Sequence, residues 1–297
     1  MNNEIVILTA ERYLHPAEPD WYVQQILDED ALIIDAFAAR GISAQRCAWD
    51  DPSILSSPPR ATIIRATWDY TERFDEFVRT LTAIAQHTPL INPLSTVLWN
   101  LDKHYLRDLS PRGVNIPPTS YIEKGTSGTL AEHSRKCGLT DATLKPVMSA
   151  GARHTYRFHG DDTAALESTF RDLVNAEAMM LQPFLSSVVT EGEVTLVMIG
   201  GKYSHAIRKR AKEGDFRVQD DFGGTVHPHT PAADEISLAE AAMAACDPVP
   251  LYGRVDILRD ANGRPTVSEL ELIEPELWFR FHPAAAGVFA ESVLHAL

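Results

Sequence analysis

Between Tyr252 and Leu272 the chain carries two strand-like runs separated by Asp260-Ala261-Asn262-Gly263-Arg264-Pro265. Asn262-Gly263 signals a two-residue hairpin turn, because both turn positions need positive φ and these residues tolerate it. No other stretch restricts the fold so tightly, since such a turn sets Asp256 opposite Glu269 and Arg254 opposite Glu271. Alternation along a strand then puts Arg254, Asp256, Glu269 and Glu271 on one face, with Val255, Ile257, Leu270 and Leu272 packed on the other. Paired positions bring Cβ atoms about 5 Å apart. Three carboxylates that close repel one another unless a hard cation sits between them, and oxygen ligands of this kind suit Mg²⁺. The competing reading is a solvated hairpin face with an Arg254–Glu271 ion pair.

The rest of the chain is of α/β class. Residues 5–9 read as a buried parallel strand, and Asp30–Arg40, closed by Gly41, as an amphipathic helix. A second strand at Ala61–Arg65 and a helical stripe at Thr71–Ala85 repeat the unit, which predicts a doubly wound parallel sheet. Prolines 89, 93, 111, 117 and 118 then mark a change of architecture around a helix at Thr96–Leu109. Beyond it the spacing predicts a strand at Thr143–Val147, a helix at Asp162–Ala178 and a strand at Met179–Leu185. A hairpin of Glu193–Ile199 and Lys202–Arg210 turns at Gly200-Gly201. A boundary near residue 92 follows, and the family resemblance set out below implies three units: 1–92 as an N-terminal substrate domain, 93–180 as a helical linker and small lid domain, and 181–297 as a mostly antiparallel catalytic domain.

Of 297 residues, 44% are hydrophobic and 23% charged, enough apolar material for a buried core. The formal charge of −14 opposes sequence-independent binding to nucleic acid or anionic lipid, and points to a small polar substrate or a protein partner. The three cysteines, 47, 137 and 246, form no CxxC pair and fit a reduced cytoplasmic compartment. The N-terminus lacks the basic region and length of a signal peptide, and no apolar run is long enough to span a bilayer. A homo-oligomer is left open.

Lys145 lies inside an apolar strand and is followed by Ser149-Ala150-Gly151-Ala152, a turn with almost no side-chain bulk. Small residues let backbone N–H groups approach phosphate oxygens while a lysine neutralises their charge. A solvated lysine before a glycine turn is the plain alternative, and Lys103 in its helical stretch is read both ways as well. Met180–Leu185 runs out through Pro183, which cannot donate to a ladder, so its end offers backbone groups to a planar ring or is simply an edge strand.

Taken in order, these pieces resemble the ATP-grasp superfamily and, within it, the glutathione-synthetase-like carboxylate–amine ligases. The matching pieces are Leu101-Asp102-Lys103, Arg112–Thr119, Leu144-Lys145-Pro146 with its loop, Gln182–Leu185, Gly192-Glu193, Asp215-Phe216-Arg217 leading to Gly223-Gly224, and Arg254-Val255-Asp256 with Glu269-Leu270-Glu271. The resemblance implies that Lys103 and Lys145 contact the phosphates of ATP under a loop containing Ser149, Ala150 and Gly151. It implies that Gln182, Phe184 and Leu185 face adenine and that Glu193 meets the ribose. Asp256, Glu269 and Glu271 would hold two Mg²⁺ ions, and Arg210, Arg217 and Arg254 would steady the transferring phosphoryl group. Three departures stand out. Glu271 replaces a frequent asparagine, Gln182 replaces a frequent glutamate, and Glu274 stands where a small polar residue is common and is itself a candidate ligand. Lys209 and Arg210 are neighbours on one strand, so only one of them can meet the phosphates.

Arg65-Ala66-Thr67-Trp68-Asp69-Tyr70 closes a parallel strand, where ligands of open α/β sheets bind. It resembles the signature of a subgroup that includes the cyclo-ligase making cycloserine from O-ureidoserine. That likeness implies antibiotic biosynthesis, with Arg65 gripping a carboxylate and Asp69 an amino group, and with Trp68, Gly223 and Gly224 beside the substrate. The alternative keeps Trp68 and Tyr70 as core aromatics and pairs Arg65 with Asp69. The activity implied is ATP- and Mg²⁺-dependent activation of a small amino-acid-like carboxylate to an acyl phosphate, then C–N bond formation. Both ring closure and joining of two molecules stay open, with a small-molecule kinase as a further rival. The segment from about 118 to 178 is expected to move as a lid.

Overall fold

The computed structural model describes residues 4–149, 151, 153–218 and 223–297. Its N-terminal layer is a parallel sheet of β1 (Glu4–Thr9), β2 (Ser43–Ala48), β3 (Ala61–Ile64) and β4 (Leu90–Ile91) in the order β2-β1-β3-β4. Helices cover both faces, which is why β1 carries the apolar run Ile5–Leu8 and β3 the pair Ile63-Ile64, all buried. One of them, Trp21–Ala38, starts well before the expected Asp30 because the Asp20 side chain caps it by accepting from Val23 N at 2.8 Å. The edge strand β2, of mixed polarity, carries no alternation that the sequence could reveal. The expected helix at 96–109 is two helices, Leu94–Asn100 and Tyr105–Leu109, separated by a turn in which Asp102 accepts from His104 N.

A second sheet holds β5 (Ser120–Ile122), β6 (Asp141–Pro146), β7 (Tyr156–His159) and β8 (Met179–Pro183), antiparallel in the order β5-β8-β6-β7. Helices Leu130–Lys136 and Thr163–Ala176 pack on it around Phe158, Phe170 and Leu173. The expected boundary at 180/181 falls inside β8.

The third sheet is antiparallel: β9 (Glu193–Ile199), β10 (Lys202–Arg210), β11 (Thr225–His229), β12 (Tyr252–Arg259) and β13 (Pro265–Glu271), ordered β11-β10-β9-β12-β13. One of its faces shares a core with β1 and with the helices Trp21–Ala38 and Ala284–His295. The C-terminal helix thus ties the last sheet back to the first, and Asn92 fastens the join by bonding the backbones of Leu251, Tyr252 and Leu272.

The β12–β13 pairing has the expected partners, Arg254 with Glu271 and Asp256 with Glu269, but reaches them by another route. The connection is the longer loop Asp260–Arg264, in which Gly263 alone has positive φ (74°) and its N–H bonds Asp260 O at 2.9 Å. That loop pairs Arg259 with Pro265 and Ile257 with Val267, one residue off the expected register. A bulge at Ser268 restores it. The two offsets cancel before the carboxylates are reached.

Candidate active site

A cleft of about 460 Å³ opens between the second and third sheets, and the N-terminal layer closes one end of it. The hairpin face lines its floor. Asp256 is 2% exposed, and both of its oxygens are taken. Oδ1 accepts from Thr195 Oγ1 at 2.8 Å and Arg254 Nε at 3.0 Å, and Oδ2 from Lys209 Nζ and Arg254 Nη2, each at 3.0 Å. Burial alone would push its carboxyl up, but Arg254 and Lys209 together hold it well below the usual range. Arg254 also donates to Glu271, and Lys209 pairs with Glu193 at 2.6 Å.

In this arrangement each carboxylate of the expected metal site is paired with a cation: Asp256 with Arg254 and Lys209, Glu269 with Lys103, and Glu271 with Arg254. The bonds that neutralise Asp256 use its lone pairs, and no group of three acidic, histidine or cysteine side chains suited to a metal occurs among the described residues. The Arg254–Glu271 pair of the competing reading is present. Glu269 and Glu271 nevertheless leave about a third of their side chains open to the cleft, at 32% and 30% exposure, so these two fit a hard cation shared with phosphate oxygens. Burial pushes Glu271 up to about 8 against the opposing charge of Arg254, which marks a carboxylate whose charge is not fully compensated.

Opposite the hairpin, Lys103 Nζ lies 3.1 Å from Glu269 and donates to Ser149 O at 2.6 Å, holding the small-residue loop against the cleft. Ser149 and Gly151 border the cleft, whereas Ala150 lies outside the described residues. Lys145 projects from β6 and has no carboxylate within ion-pair distance among the described residues, and burial lowers its pKa. Gln182, Phe184 and Leu185 line the far end. Gln182 donates to Thr119 Oγ1 at 2.8 Å, and Phe184 sits under the Arg157 guanidinium, 3.6 Å from its ring centre, with Phe216 edge-on. Arg217 borders the cleft and is paired with Asp215 at 2.7 Å.

Four expectations are not met. Arg210 is exposed on the outer side of β10, and it is Lys209 that faces the cleft, because the strand's buried side falls on the lysine. Gly223 and Gly224 do not border the cleft. Of the N-terminal trio only Trp68 does, with its indole N–H on Glu274 O at 3.1 Å. Asp69 is turned away, accepting from Trp49 Nε1 at 2.9 Å and paired with Arg73. Arg65 is 5% exposed, bound to Glu29 and Pro275 O, and does not border the cleft. Its partner is not Asp69. Several cleft residues escaped sequence reasoning: Arg12, Tyr13, Tyr22, Glu276 and Trp278. Only the alternation from Glu274 to Trp278 could have signalled the last two.

Comparisons with known proteins bear on this geometry. Residues 5–92 match the family model described as the N-terminal domain of D-cycloserine synthetase DcsG. The cycloserine biosynthesis protein DcsG of Streptomyces lavendulae is 32% identical over 283 residues, 89% of this chain and 92% of that protein. The crystal structure of D-cycloserine synthetase DcsG superposes with a TM-score of 0.85 at 28% identity, covering 99% of each chain. The ATP-grasp ligase PsnB, solved with a minimal precursor, Mg and ADP, has the same fold at 17% identity, with a TM-score of 0.63 over 99% of this chain and 98% of that one.

Proposed function

The chain belongs to the D-cycloserine synthetase family of ATP-grasp ligases, and on that footing we propose that it closes a ring within one small amino acid. It is an ATP-dependent ligase that forms carbon–nitrogen bonds. A carboxylate does not acylate an amine at neutral pH, because oxide is too poor a leaving group. Transfer of the γ-phosphoryl group to a carboxylate oxygen breaks the bond to ADP and makes phosphate the leaving group. A nitrogen of the same substrate then attacks the carbonyl carbon and expels phosphate.

The observation that carries this reading is Lys145: a lysine in the cleft, partly stripped of water, near Glu269 but within ion-pair distance of no carboxylate among the described residues, is a charge awaiting an anion. Lys103 adds a second positive charge and keeps the Ser149 loop in place. Gln182, Phe184 and Leu185 offer a flat, largely apolar edge to adenine. Glu269 and Glu271 would hold Mg²⁺, and two ions are part of the proposal. When bound, the metal offsets phosphate charge and aligns the group in transfer. Arg254 is locked by Asp256 and Glu271, so its guanidinium is oriented before substrate arrives and loses little on meeting a developing oxyanion. Lys209, tied to Asp256 and Glu193, supplies charge to the same spot where Arg210 was expected. A cytoplasmic location completes the reading, and among the described residues no helix is long and apolar enough to cross a membrane.

Incubation with ATP, Mg²⁺ and O-ureidoserine as the sole organic acid should release phosphate with simple saturation and yield a cyclic product. A strict requirement for a second amine would overturn ring closure.

A further inference from the structure

Glu274, Glu276 and Trp278 all border the cleft, whereas Leu277 is buried in the core. This is the alternation of an extended segment, and it ends at Trp278, whose φ of 56° lies in the left-handed region that a bulky residue rarely adopts. Two buried residues of the N-terminal layer hold the segment there. Arg65 Nη1 donates to Pro275 O at 2.6 Å. Glu29, paired with Arg65, accepts from Leu277 N at 2.9 Å and Phe279 N at 3.1 Å. Across the same end of the cleft stand Tyr13, Tyr22 and Trp68, with Trp68 5.8 Å from each of the other two rings.

Lys103, Lys145 and Arg254 line the cleft together with Glu269 and Glu271, whereas Glu276 stands beside Tyr22 and Trp68. From this we propose that Glu276 is the specificity residue that receives the ammonium group of an α-amino acid substrate. The proposal rests on the ligase reading and deepens it by naming the charge selected and the residue that selects it. A carboxylate beside aromatic faces attracts an ammonium and repels the carboxylate of the same molecule, so a zwitterion enters with its reactive end toward the phosphates. Glu276 is oriented in advance by Arg280, whose guanidinium lies 4.4 Å from the Trp278 ring centre. Trp278 is 3% exposed, and its indole N–H is buried with no acceptor among the described residues. Arg65 and Glu29 touch no substrate; they are positioning residues for this wall.

The test is calorimetric titration of the full chain, with ADP and Mg²⁺ present, by O-ureidoserine and by 3-(ureidooxy)propanoate, which lacks only the amine. The wild-type protein should prefer the amino acid by at least about tenfold, the worth of one charge-assisted hydrogen bond. Glu276→Gln should shrink that preference below about threefold while ADP affinity holds. Arg65→Lys, by letting the wall shift, should weaken both acids. Equal affinity for the two acids in the wild type, no binding of either, or a preference that survives Glu276→Gln would overturn the proposal. Should Glu276→Gln fail to fold, Glu276→Asp, which keeps the charge but withdraws it, must lower the preference instead. A wild-type preference without phosphate release would leave this inference standing and strike down the ring-closing reading. Phosphate release with the two acids at equal KM would do the reverse.

Discussion

Arg65 and Glu29 form an ion pair in which both side chains are more than nine-tenths buried, and together they hold the backbone from Pro275 to Phe279. The pair joins the end of β3 to the helix Trp21–Ala38 and, through it, to the cleft wall. Removing one partner leaves an uncompensated charge in the interior, so Arg65→Ala should cost about 3–5 kcal/mol of stability. Chemical denaturation would measure this directly. In the milder Arg65→Lys the KM of the acid should rise while that of ATP holds, because lysine cannot make the forked contact to Glu29 and Pro275.

Lys145→Ala behaves differently. Among the described residues the lysine has no carboxylate within ion-pair distance, and desolvation outweighs its attraction to Glu269, so its removal should leave the melting temperature unchanged or slightly higher. Phosphate release should nonetheless fall by about a hundredfold or more in kcat/KM, since a charge facing the transferring group is gone. Turnover at the wild-type rate would show that Lys145 does not face the phosphates.

Glu269→Gln keeps the shape of the side chain and removes its charge. We expect a higher Mg²⁺ concentration for half-maximal activity and a lower kcat, with the fold intact by circular dichroism. An unchanged Mg²⁺ dependence would remove Glu269 from the metal site.

Asp30 provides a pH test away from the cleft. It is 1% exposed, and burial pushes its carboxyl up to about 6 despite Arg65 and Arg46 nearby. The folded state then holds this proton more tightly than the unfolded chain, so stability is greatest below the ordinary carboxylate range. It falls as pH rises toward about 6, by on the order of 3 kcal/mol. Asp30→Asn cannot titrate, so a plot of melting temperature against pH from 4 to 7 should lose this part of its slope. A slope identical to wild type would refute the assignment.

Local chemistry accounts for what could be read in advance. The turn at Gly200-Gly201 and the limits of β9 and β10 follow from glycine's freedom at positive φ and from unbroken apolar runs. Alternation along β12 and β13 is likewise a property of neighbouring residues, and it put Arg254, Asp256, Glu269 and Glu271 on one surface. The parallel N-terminal layer shows itself because strands buried on both faces carry consecutive apolar residues, as at Ile5–Leu8.

Choices between equivalent residues depended on groups far along the chain. Lys209 rather than Arg210 faces the cleft because Glu193 and Asp256 wait on that side of the sheet. Asp256 is neutralised because Thr195, Lys209 and Arg254, from three strands, converge on its two oxygens. Arg65 meets Glu29, a pairing that no spacing or periodicity encodes, since it exists only once the helix Trp21–Ala38 packs on the N-terminal sheet and the segment after β13 returns to both. A periodic pattern reveals which face a side chain takes. Which partner stands opposite depends on how separate layers pack, and that is where the charges of this cleft were assigned.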